Sequence, residues 1–217
     1  AGHALRLTRV PRSALDEILR QAGVIRVESQ HQLLDVAQLM VHQPVPTGRR
    51  VDVVASSDAM AALVAEAAVS AGLTIGERRA IITGGGSTGS DLERLEAALA
   101  DVYADPACDV VVVVHLPTLG EPDPRVARVI AAAAARSGRT TVACIRGLRG
   151  ITPALTATDA IGKEWTVPAY AAPEDGVLAL AAAARYGAWR SADHGQPLAP
   201  TGVDRSRARA LVDAAMN

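Results

Sequence analysis

The sequence contains no phenylalanine, and its whole aromatic complement is three tyrosines and two tryptophans in 217 residues. So few rings argue against a reader of stacked bases and, more weakly, against a flavin held between aromatic faces. Lysine is almost missing: Lys163 stands alone, and every other basic residue is arginine. The formal net charge is −1, which removes the electrostatic case for nucleic acid or an anionic membrane. The only cysteines, Cys108 and Cys144, lie in no CxxC or other metal spacing. Both fall in or beside expected buried strands, where a free cysteine acts as a small hydrophobe. A reducing, cytoplasmic setting fits that usage. The opening Ala-Gly-His-Ala-Leu-Arg is not followed by an apolar run, so no secretory signal is read there. Every apolar stretch is too short, or too interrupted by charge, to span a bilayer. No G-x-x-x-x-G-K-[ST] loop exists for ATP. Asp109, Glu121 and Asp123 are scattered, so no metal-ligand cluster is visible.

What remains is 49% hydrophobic and rich in alanine and valine, enough for a sizeable core with tight helix-on-sheet packing. The length fits one large domain or one domain with extensions. Residues 11–22 read as a helix closed by Gly23. Ser29 caps a second helix, whose apolar positions Leu33, Leu34, Ala37, Leu39 and Met40 form one face. Residues 43–48 form a linker-like break. From Arg49 the pattern becomes regular. Strands are expected at 51–55, 79–83, 109–116, 140–145 and 166–170, and helices at 58–71, 91–104, 123–136 and 173–190. Alternation of this kind means a parallel sheet covered on both faces. We expect an α/β, flavodoxin-like three-layer sandwich with a five-stranded parallel sheet of order 2-1-3-4-5. Residues 1–48 make an N-terminal helical extension and linker, 49–190 the flavodoxin-like domain, and 191–217 an exit linker and a last amphipathic helix.

In an open sheet of this type, ligands sit beyond the carboxyl ends of the strands. Two loops fall there. In Ala55-Ser-Ser-Asp58, either Ser56 or Ser57 can cap the following helix, and both can present N–H and hydroxyl groups to an anion. Asp58 counts against tight anion binding, because its charge already occupies the helix dipole. The second loop is Gly84, Gly85, Gly86, Ser87 and Thr88, where an apolar run stops and a helix follows. Glycines let the backbone approach a ligand, and the helix start offers free N–H groups. Gly84-x-Gly86-x-x-Gly89 formally matches the dinucleotide fingerprint. It follows the second strand rather than the first, however, and the next strand closes at His115-Leu-Pro rather than at an acid. An anion- or acyl-carboxylate-binding loop and a plain structural turn both fit better than NAD binding. His115 ends a run of five valines at the carboxyl edge. It can serve as a general acid or base or a donor to a ligand, or can simply bond to the backbone. It also occupies the place of a receiver domain's phosphorylated aspartate, which excludes that reading.

The order of segments resembles the NDP-forming (ADP-forming) acyl-CoA synthetases. Gln21-Ala-Gly-Val-Ile-Arg-Val27 and Leu33-Leu-Asp-Val-Ala37 resemble the stretch after that family's phosphohistidine loop. Arg49-Arg-Val-Asp-Val-Val-Ala-Ser-Ser57 resembles the strand and helix start that follow. Gly84-Gly-Gly-Ser-Thr88, with Ala104-Asp-Pro-Ala-Cys-Asp-Val-Val-Val-Val113, is similar to the carboxyl-terminal domain of the succinyl-CoA synthetase β subunit. Pro168-Ala-Tyr-Ala-Ala-Pro-Glu-Asp175 and the stretch to Arg190 look like the end of that domain. The likeness covers about residues 14–216.

This resemblance implies a relay in which acyl-CoA and phosphate give an acyl phosphate, a histidine carries the phosphoryl group, and ADP receives it. The matching helix start is Ser56, Ser57 and Asp58, and the position nearest the family's phosphohistidine is His3. This domain alone would bind no cofactor; CoA, ATP or ADP and magnesium would belong to the full-length enzyme. The implied partners are a CoA-binding domain and an ATP-grasp domain of the same polypeptide, with a GNAT acetyltransferase domain in fused relatives and a second copy of the chain as a homodimer. The isolated chain is then expected to catalyse nothing. A non-catalytic acyl-CoA-sensing domain of a GNAT-fused acetyltransferase is the alternative, and a nucleotide-cofactor oxidoreductase domain a third.

Overall fold

The computed structural model describes residues 11–81, 89–116, 123–195, 202 and 204–216. Four strands, β1 (Arg50–Ala55), β2 (Thr74–Ala80), β3 (Val110–His115) and β4 (Thr140–Ile145), pair in parallel in the order β2-β1-β3-β4. The valine run explains why β3 is central. Side chains alternate across a strand, so Val110, Val112 and Val114 enter one apolar layer while Val111 and Val113 enter the other. A strand buried on both faces must read as continuous hydrophobe.

The helices are α1 (Arg12–Gln21), α2 (Gln30–His42), α3 (Asp58–Ser70), α4 (Gly89–Ala104), α5 (Pro124–Ser137), α6 (Pro173–Ser191) and α7 (Arg205–Met216). On one face, Val64 and Ala68 of α3 pack over β1 and β3, and Val177 and Leu180 of α6 over β3 and β4. On the other, Leu95, Leu99 and Val102 of α4 lie over β1, and Val126 and Ile130 of α5 over β4. The expected three-layer arrangement is present. Ser29 caps α2 by accepting from the Gln32 amide at 3.2 Å, as its sequence position implied. The apolar face of α2 is different from the expected one. Val36 and Leu39 are its buried residues, whereas Leu33 and Leu34 are 54% and 61% exposed. Residues 43–48 are also more than a linker. Gln43 is buried, donates to the Thr166 carbonyl at 2.6 Å and accepts from the Thr141 amide at 2.9 Å.

Two strands differ from expectation. β2 runs over Thr74–Ala80 rather than starting at 79; of the expected 79–83, residues 82 and 83 lie outside the described residues. It is an edge strand rich in charge, which blunts an exposed edge and hides the apolar signature of a strand. Its register against β1 shifts between Val51 and Val53, a bulge. There the fully buried Asp52 accepts from the Glu77 amide at 2.8 Å. Gly76 leaves room for that carboxylate, because a Cβ would collide with Oδ1.

The expected fifth parallel strand at 166–170 is not formed. Its first residue closes β6 (Glu164–Thr166), which pairs antiparallel with β5 (Thr156–Thr158) in a separate two-stranded ribbon. Beside β4 only Ala169 makes a parallel bridge, to Ala143. Pro168 explains the truncation: it has no N–H to donate, although its carbonyl accepts from the Ala143 amide at 3.1 Å. Ala169 spends both backbone groups on Gly150, at 3.0 and 2.8 Å. Among the described residues, no helix is long and apolar enough to cross a membrane.

Candidate functional site

Parallel pairing brings the ends of β1 and β3 side by side, with Ala55 level with Val114. The next residues lock that edge. The Ser56 amide donates to the Val114 carbonyl at 2.8 Å, and the Leu116 amide donates to Ser56 Oγ at 3.2 Å. Ser57 is extended (φ −160°, ψ 158°), and its Oγ accepts from the Met60 amide at 3.2 Å, so it is the N-cap of α3. The helix's own ladder begins with the Ala61 amide on the Ser57 carbonyl. The amides of Asp58 and Ala59 therefore precede the helical hydrogen bonds, where the dipole favours an anion. The Ile81 amide donates to the Ala55 carbonyl at 2.7 Å, bringing the exit of β2 to the same edge.

His115 is 6% exposed, and its Nε2 is enclosed without a hydrogen-bond partner among the described residues. Burial lowers the imidazole pKa, with Asp123 opposing in part. The ring is therefore held toward its neutral form, in which one nitrogen donates and the other accepts. Its backbone carbonyl accepts from the Arg146 amide at 3.3 Å, which holds β3 against the turn after β4. Ser56, Ile81, Asp91, Leu95 and Val126 line a narrow cleft together with His115. Asp91, in the first turn of α4, is buried and paired with Arg94. Asp58 stands in the first turn of α3. The edge thus combines helix N–H groups, a hydroxyl and a neutral imidazole with two carboxylates at the helix starts.

Of the residues singled out in the sequence, Ser56 and His115 line the same cleft, and Ser57 caps α3 next to Ser56. His3, Gly84, Gly85, Gly86, Ser87 and Thr88 lie outside the described residues. Asp91 was read only as a helix start; its burial in the cleft follows from the way α4 lies over β1. The sequence also showed no cluster of metal-ligating groups, yet the fold gathers His31, Asp35 and Asp175.

Comparison with known proteins adds a fold-level parallel. No protein-family model matches the sequence, and no curated protein matches it. Among solved structures, PH0766 from Pyrococcus horikoshii OT3 superposes with a TM-score of 0.60 at 16% identity, over 83% of this chain and 45% of that one. The dinucleotide forming acetyl-coenzyme A synthetase 1 of Ca. Korarchaeum cryptofilum, in complex with phosphate and ADP, superposes with a TM-score of 0.64 at 16% identity, over 84% of this chain and 42% of that one. Its apo form gives 0.59 at 15% identity, over 85% and 43%. The chain thus spans less than half the length of these solved proteins. At such identities the likeness is one of fold. The resemblance to acyl-CoA synthetases drawn from the sequence is matched by a fold shared with part of an acetyl-coenzyme A synthetase.

Proposed function

We propose that this chain is a domain of an NDP-forming acyl-CoA synthetase, in which acyl-CoA, ADP and phosphate give carboxylate, CoA and ATP through a phosphohistidine. Its role is to supply one wall of the phosphoryl or acyl site: the α3 N-terminus at Ser56 and Ser57, His115, and the loop Gly84–Gly85–Gly86–Ser87–Thr88. CoA, ATP or ADP and magnesium belong to the other domains of the polypeptide, a CoA-binding domain and an ATP-grasp domain. His3 is the candidate phosphohistidine of this chain. The observation that carries the reading is that Ser56, next to the Ser57 cap of α3, lines one cleft at the carboxyl edge together with His115, whose buried Nε2 has no partner among the described residues. A wall is not a complete site. The 217-residue chain, given acyl-CoA, ADP, phosphate and Mg²⁺, is therefore expected to form no ATP; robust turnover would overturn the division of labour.

One observation favours a second reading. Asp58 and the buried Asp91 place carboxylates at both helix starts, where a catalytic phosphoryl group needs positive potential. A non-catalytic acyl-CoA-sensing domain of a GNAT-fused acetyltransferase accommodates that charge. Labelling with γ-phosphate-labelled ATP separates the two when the chain is joined to its neighbouring domains. An acid-labile phosphohistidine supports the ligase, and its absence alongside acyl-CoA binding supports the sensor.

A further inference from the structure

Outside that cleft, two elements gather groups that the ligase reading leaves without a task. His31 and Asp35 stand one turn apart on α2, and Asp175 is in the first turn of α6. His31 Nε2 lies 3.3 Å from Asp35 Oδ2 and 3.8 Å from Asp175 Oδ2. The three ligand atoms all lie within 4.8 Å of one another.

We propose that His31, Asp35 and Asp175 form a site for a divalent transition metal, with Zn²⁺ as the best-fitting ion, that clips α2 to α6. The inference does not depend on the proposed function.

The geometry is close to that of a coordination shell. Zn–N and Zn–O bonds of about 2.0–2.2 Å at tetrahedral angles separate ligand atoms by about 3.3–3.6 Å. The two measured separations from His31 lie at and just beyond that range. Residues i and i+4 share a helix face, so His31 and Asp35 are presented together without loop rearrangement. One imidazole and two carboxylates suit Zn²⁺ and leave a fourth position for water. The supports around the ligands are also in place. Gln38 Nε2 donates to Asp35 Oδ1 at 3.4 Å, and the buried Tyr170 hydroxyl donates to the Asp35 carbonyl at 2.9 Å.

The state of Asp35 Oδ2 fits the same cluster. It is enclosed, accepts no hydrogen bond and is aimed at His31. Two carboxylates and an imidazole thus meet at one place. The cation now beside them is Arg149, whose Nη2 lies 2.9 Å from His31 Nδ1 and 3.2 Å from Nε2. A guanidinium only donates, so it competes with a metal for the same ring nitrogens. Arg149 is exposed and can swing into solvent.

The test is Zn²⁺ affinity of the 217-residue chain, measured by competition with a chromogenic chelator, with Co²⁺ as a spectroscopic probe. We expect one equivalent bound, about tenfold or more weaker binding in His31→Gln and Asp175→Asn, and tighter binding in Arg149→Ala. His194→Gln, which removes a histidine outside the cluster, leaves the affinity unchanged. In the unsubstituted chain, Co²⁺ should shift or broaden the His31 and Asp175 resonances and leave those of His42 sharp, a readout that needs no variant. Undiminished affinity in both ligand variants, perturbation centred on another histidine, or no binding at all would overturn the site.

Discussion

The Leu116 amide donates to Ser56 Oγ at 3.2 Å, so a side chain just past the end of β1 ties down the backbone just past β3. This bond fixes where His115 sits, because His115 is the residue immediately before the amide that is held. Removing the hydroxyl leaves a part-buried N–H without its acceptor, which costs about 1–2 kcal/mol. Ser56→Ala is therefore expected to lose that much stability in urea denaturation, and Ser56→Thr, which keeps the hydroxyl, to lose less. Equal losses in the two variants would show that the hydroxyl is not what holds the edge.

His115 sets a pH dependence of stability. Its folded pKa lies below the ordinary 6.5, because burial disfavours the charged ring. As pH falls below that value, the unfolded chain binds a proton that the folded chain resists, so stability falls. The slope reaches at most about 1.4 kcal/mol per pH unit and levels off once the folded ring also protonates. Asp123 acts lower. The Arg125 guanidinium beside it depresses its folded pKa below 3.8, so its contribution is present above that value and is lost as pH falls through the folded pKa. His115→Gln should flatten the decline just below pH 6.5. Identical slopes for the wild type and His115→Gln would show that the ring is not held neutral.

Two glycines are required by what lies against them. A Cβ on Gly76 would run into the buried Asp52 carboxylate, and one on Gly187 of α6 into the Pro46 carbonyl. Neither neighbour is the free end of a flexible side chain: Asp52 is held by the Glu77 amide, and the Pro46 carbonyl is backbone. Gly76→Ala and Gly187→Ala are each expected to cost about 1–3 kcal/mol by thermal or chemical denaturation. Gly72→Ala makes a useful contrast. Nothing lies near its Cβ position, so its cost is that of a left-handed backbone at φ +80°.

How much of this was legible in the sequence follows burial. β1, β3 and β4 were readable because strands covered on both faces are mostly apolar, as Val110–Val114 are throughout. β2 was displaced because an edge strand needs no such run; Thr-Ile-Gly-Glu-Arg-Arg-Ala is held by backbone pairing and Asp52 instead. The fifth strand was overread because the β-type residues around Val167 outweighed Pro168, whose missing N–H decides the outcome. At the site, Ser57 as N-cap and His115 at the strand end follow from local rules. The Ser56–Leu116 tie, the buried Asp91 and the grouping of His31, Asp35 and Asp175 are long-range consequences of packing. No spacing in the sequence encodes the last of these, because Asp175 lies 140 residues from Asp35.

If the carboxyl edge is one wall of a phosphoryl-handling site, phosphate and acyl phosphate bind there. The most direct measurement is a ¹H–¹⁵N NMR titration of the 217-residue chain with inorganic phosphate and acetyl phosphate. Saturable shifts centred on the amides of Ser56 to Met60 and Leu116 and on the His115 ring are predicted, weak in affinity because of Asp58 and Asp91. Shifts confined to surface arginines elsewhere, or none at this edge at any concentration reached, would contradict it.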